Sequence, residues 1–128
     1  MQIDIFTVCD NSQQYGTKII IMGPFNRITA SSFPCVHDSF SIIGRIGYEK
    51  KENGQKKYFL TFKDPDGKDV FQHSWDVDID IKDDSVNYVQ FKFKVDKIQF
   101  NKPGTYDLSF SSEGITRVLK IYLTQDIK

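Results

Sequence analysis

Two stretches hold residues whose types could do chemistry. In Cys35-Val36-His37-Asp38 a thiol, an imidazole and a carboxylate fall within four residues, the raw material of a thiol nucleophile or a metal site. A structural zinc site takes four ligands, usually as two spaced pairs. Only Cys9 and His73 remain to form a second pair, and they are not spaced as one. The spacing therefore predicts a loop that docks Phe33 and Val36 on the end of the fold and leaves His37 in water. The second stretch runs from Ser74 to Asp84 and has five aspartates among the nine residues Asp76 to Asp84. Asp76, Asp78 and Asp80 match the start of a calcium loop, but Ile81 stands where that loop needs glycine and Asn87 where it needs glutamate. Val77 and Ile79, between the aspartates, belong in a strand. A period of two sets Trp75, Val77, Ile79 and Ile81 on one face and the aspartates on the other. Val89, Phe91, Phe93 and Val95 repeat the pattern, with Gln90, Lys92 and Lys94 facing water. The two runs are expected to pair as a hairpin, with Ile79 opposite Phe91, Val77 opposite Phe93 and Asp78 opposite Lys92.

Elsewhere the chemistry is sparse. No nucleophile elbow, phosphate loop or zinc-binding helix motif occurs. Asp83, Asp84 and Glu113 are the remaining acidic group, and Asp64, Asp66 and Asp69 are expected at the opposite end of the fold. The reading is of a non-enzymatic protein with no metal and no cofactor. The alternative is a metal-dependent ligand-binding module or hydrolase that uses Cys35 and His37 or the acidic loops.

The elements that would position these residues are strands. The chain has 128 residues, the size of one domain spanning 1–128. Eleven Phe and six Tyr, with abundant Ile and Val, favour β-structure, and no window has helical periodicity. Short apolar or alternating runs at 2–9, 17–25, 40–48, 57–64, 70–81, 88–97, 105–111 and 115–124 are separated by turn residues. The fold class expected is all-β, an immunoglobulin-like antiparallel β-sandwich of about eight strands with an extra N-terminal strand. Tyr106, just after the corner "NKPG", is predicted to bond back to backbone within residues 98–102. Gly23-Pro24 predicts that its strand is an edge or changes sheets, since proline cannot donate to a ladder. Gly44 and Gly47 predict a bulge or a close approach. Asp64-Pro65-Asp66-Gly67 predicts a hairpin turn.

Charge and targeting bound the partners. Seventeen basic and seventeen acidic residues cancel, so neither nucleic acid nor an anionic membrane is implied. No apolar run has the length of a membrane span. The opening "MQIDIFTVCD" reads as a strand and not as a signal peptide, which argues for the cytoplasm. Cys9 and Cys35 fit a reduced compartment and are expected as free thiols, although the count alone allows a disulfide. The partner is expected to be a protein, or a second copy, engaged through an edge strand or the fourteen-residue 26–39 loop. Arg27, Phe33 and His37 are the binding residues this reading selects.

One longer pattern goes further. "VCDNSQQYGTKIIIMGPFNRITASSFPCV" resembles the opening of a bacterial family of small cytoplasmic proteins defined only as a domain of unknown function. Cys9-Asp10, Gly16, Lys18, Gly23, Phe25, Arg27-Ile28 and Phe33-Pro34 carry the resemblance, with one residue more after Gly16 than the family pattern. "DPDGKDV" and "PGTYDLSF" continue it near full length. The resemblance implies a β-sandwich, no known activity and no catalytic residues.

Overall fold

A computed structural model describes residues 1–126. Those residues are all-β apart from a single 3-10 turn at Lys50–Glu52. The strands are β1 (Gln2–Tyr15), β2 (Lys18–Pro24), β3 (Arg27–Ala30), β4 (Cys35–His37), β5 (Phe40–Tyr48), β6 (Gly54–Lys63), β7 (Asp69–Ile79), β8 (Asn87–Val95), β9 (Ile98–Phe100), β10 (Gly104–Ser112) and β11 (Ile115–Gln125). They form a four-stranded sheet in the order β2-β1-β5-β8, a five-stranded sheet in the order β3-β11-β10-β6-β7, and a β4-β9 pair. All pairings are antiparallel except β3 with β11.

The two large sheets share one core. Phe6, Val8, Ile42 and Ile46 from the first sheet meet Tyr58, Leu60, Leu108, Phe110 and Ile121 from the second. Period two accounts for this: every second residue of β5 and β10 faces inward. Gly44 is the gap in the β5 row. The Phe91 ring, from the paired position on β8, fills that gap so closely that a Cβ at Gly44 would stand 1.9 Å from it. Close approach, not a bulge, is what glycine permits here; the register shift lies in β1, between Ile3 and Ile5.

The expected hairpin between the aspartate run and the lysine run does not exist. β7 pairs with β6 and β8 pairs with β5, in different sheets. The face assignment holds: Ile79 and Ile81 are buried and Asp76, Asp78 and Asp80 are exposed. Alternation tells which face is wet but not which strand lies alongside. β6 satisfies β7 as well as β8 would have, with Lys57 opposite Asp76 and Gln55 opposite Asp78. Trp75 and Phe91 do meet, at 5.2 Å between ring centroids, but across the core. The crossing between sheets is pinned where Asn53 Oδ1 accepts the Ile81 N–H (2.7 Å) and Asn53 Nδ2 donates to the Ile81 carbonyl (3.0 Å).

Two corners match expectation. Tyr106 is buried and its hydroxyl donates to the Lys102 carbonyl at 2.8 Å. In the Asp64–Gly67 turn the Gly67 N–H donates to the Asp64 carbonyl at 2.9 Å, with Gly67 at φ 81°. β2 is an edge strand, as Pro24 requires, and the chain leaves for the other sheet directly after it. The 26–39 segment is not the structureless loop expected. It pairs as β3 against β11 and as β4 against β9, because a segment lying along sheet edges satisfies its backbone groups by joining them.

The first strand is longer than its apolar run. "DNSQQY" continues β1 to Tyr15, and the turn falls at Gly16-Thr17, with Gly16 at φ 64°, as a type II′ hairpin needs. The polar residues mislead because this half of β1 does not continue straight. Gln90 lies level with Ile5, through Arg45. Thr17 is twelve residues past Ile5, which a straight strand would carry about 40 Å away. Its carbonyl nevertheless accepts from Gln90 Nε2 at 3.0 Å. The hairpin of residues 10–23 is an arm folded back over the outer face of its own sheet. Lys92 Nζ grips it at Asn11 Oδ1 (3.3 Å) and the Ser12 carbonyl (3.1 Å). Beneath the arm, Ile43 and Cys9 are fully buried although they point away from the central core.

Candidate functional site

The chain changes sheets between Pro24 and Arg27, and that crossing opens a cleft of about 330 Å³ lined by Asp10, Phe25, Arg27, Ile28, Thr29 and His37. Gly23, at φ 66°, makes the turn into it. A Cβ there would stand 2.6 Å from Asp10 Oδ2, so glycine is what lets the carboxylate lie against the strand. Arg27 opens β3 and faces outward, while Ile28 beside it faces the core. The guanidinium lies over the Tyr122 ring, 5.7 Å from its centroid, a placement that orients the cation and leaves its donors free. His37 closes β4 between the rings of Phe25 (5.9 Å) and Phe40 (5.8 Å). Among the described residues, the Asp10, Arg27 and His37 side chains make no hydrogen bond or ion pair with other protein groups.

The structure therefore brings Arg27 and His37 together and leaves Phe33 out. Phe33 is not among the cleft's lining residues and packs, partly buried, against the core. Asp10 is the site residue that sequence reasoning passed over. Its signal was the Cys9-Asp10 pair set opposite Gly23-Pro24, but only the register of β1 on β2 makes them neighbours.

Cys35 lies two residues from His37 on β4, and burial pushes its thiol above the ordinary range. A thiol held protonated is the reverse of an activated nucleophile. Cys9 is raised too, by burial first, and both cysteines are free. Among the described residues no group of three or more His, Cys, Asp or Glu side chains gathers as metal ligands would. Asp83, one of the acidic-loop candidates, accepts from the Ser85 hydroxyl, from the Ser85 N–H at 2.9 Å and from Asn87 Nδ2 at 3.2 Å; those bonds, the Ser85 hydroxyl's first, hold its carboxyl below its usual range. No described helix is long and apolar enough to cross a membrane.

An all-β protein with two sheets on one core and an open, charged cleft at a strand crossover is the class these observations define. The chain matches the Family of unknown function (DUF6941) over residues 4–121 and belongs to that family. No curated protein matches it.

Proposed function

We propose that this chain is an immunoglobulin-like β-sandwich serving as a non-enzymatic, cytoplasmic binding module. In this reading a protein partner docks in the cleft of Asp10, Arg27 and His37. The carrying observation is that three polar, chemically complementary side chains line one cleft. Among the described residues Arg27 and His37 contact aromatic rings, and none of the three meets a hydrogen-bonding or oppositely charged group. Charged groups left unpaired beside an apolar floor of Phe25 and Ile28 suit a partner that brings a carboxylate for Arg27 and a donor for Asp10. The sandwich assignment is supported by the order β1-β5-β8 against β11-β10-β6-β7 and by the Tyr106 corner. The metal-dependent or hydrolytic alternative draws no comparable support, since the Cys35 thiol is pushed up and not down.

Arg27→Glu tests the reading. Arg27 is exposed, so thermal unfolding should be unchanged. Affinity capture from the source cell's lysate, quantified by mass spectrometry, should recover a protein with the wild type that is lost with the variant. Identical recovery by both would remove the cleft from the binding surface.

A further inference from the structure

Among the described residues, the outermost strands of the two large sheets are blunted except for β2. β7 carries Asp69, Asp76 and Asp78, β8 carries Lys92 and Lys94, and β3 has only four residues. Charges and shortness are the usual guards against strand addition. β2 reads Lys18-Ile19-Ile20-Ile21-Met22-Gly23-Pro24 and pairs on one side only, with β1. Its single charge stands at one end and its proline at the other. Ile20 and Met22 are 47% and 41% exposed.

We propose that β2 pairs antiparallel with β2 of a second copy, about a two-fold axis through Ile20. The backbone geometry fits. Tyr15 and Lys18 close a two-residue turn, so Lys18, Ile20 and Met22 direct their N–H and C=O groups to β1, and Ile19 and Ile21 direct theirs to the free edge. Centring the pair on Ile20 sets Ile19 of each copy opposite Ile21 of the other, which satisfies all four groups on each chain. The side chains fit as well. Ile20 meets its own copy and Lys18 meets Met22, so no like charges face each other. A parallel pairing would stack Lys18 on Lys18. Tyr15, Ile20 and Met22 share the arm's outward face, and the two-fold axis joins the two exposed strips into one. This self-matching of charge and apolar pattern is the complementarity an isologous interface requires. The inference concerns the arm and stands independently of the cleft.

The position on the axis makes a decisive test. Ile20→Lys and Ile20→Glu each place like charges opposite each other, on an outward-facing residue that the fold does not need. Light scattering on the full chain at about 0.1 mM, which detects association down to the weak end of specific affinities, should show dimers for the wild type and monomers for each variant alone. An equimolar mixture of the two variants should form dimers again, since Lys then faces Glu. A monomeric wild type overturns the proposal and leaves the edge to another protein's strand. Undiminished dimers in the Ile20→Lys variant, or no recovery in the mixture, also overturn it.

Discussion

At the scale of single residues, the most consequential polar contact lies in the core. Tyr48 and Tyr58 are fully buried and their hydroxyls meet at 2.6 Å. One hydroxyl donates to the other, so a single hydrogen bond joins the two phenols in a pocket where Tyr58 packs against Phe110, Trp75 and Phe91. Burial pushes both phenols above their ordinary range. The folded chain thus holds these protons at pH values where the unfolded chain, titrating near about 10, has released them. Below that pH the pair contributes its full stability; above it the unfolded state binds fewer protons, and stability falls. The urea midpoint should accordingly drop as pH rises past about 10, and a Tyr48→Phe/Tyr58→Phe double variant should show a shallower drop. Parallel slopes would mean that the phenols are already free to ionise. Tyr106 was legible at this scale because a corner tyrosine has a local partner four residues away, at Lys102. Asp10 was not, because its neighbours Arg27 and His37 are remote in the chain.

At the scale of elements, β5 and β8 show how a sheet is matched to its neighbour. Gly44 stands directly opposite Phe91, and the ring covers it. Its backbone is ordinary for a strand, so the demand for glycine is steric alone. Gly44→Ala should cost about 1–3 kcal/mol, the usual range for overpacking. In a Phe91→Leu background the same change should cost clearly less, because the clashing ring is gone. A double-mutant cycle on urea midpoints measures the difference, and equal costs in both backgrounds would show that the ring gives way without strain. The alternation in β7 and β8 was legible from sequence and their buried faces follow it. Their partners were not. The aspartates of β7 found Lys57 on β6, and nothing in a two-residue period separates that lysine from Lys92 or Lys94. The arm was hidden for a related reason. Asn11-Ser12-Gln13-Gln14 reads as turn chemistry, yet Ser12 is buried against the sheet beneath, and only the fold-back explains why a polar strand half should be covered.

At the scale of the whole molecule, the arm gives the four-stranded sheet a roof on the side away from the core. Cys9 lies fully buried where the arm leaves the sheet, its thiol donating to the Asn11 carbonyl at 3.2 Å. Cys35 is only half-buried, on β4. In the native protein an alkylating reagent should consume Cys35 first, and Cys9 should follow only as fast as the arm lifts. The Cys9 rate is then a clock wired to one door, readable by mass spectrometry of the 1–18 peptide. Lys92→Ala removes the ammonium that holds Asn11 and Ser12. Loss of a charged hydrogen bond, at about 1.5–3 kcal/mol, should quicken Cys9 labelling by at least about tenfold and leave Cys35 unchanged. The sign is telling, because Lys92 also lowers the Cys9 pKa. Loss of the lysine by itself leaves less thiolate at Cys9, so faster labelling would report more frequent opening of the arm. A roof that lifts on its own schedule would also set how often the apolar underside of β2, Ile19 and Ile21, is offered to solvent. The same thiol would then time the moments at which this chain is most prone to stick.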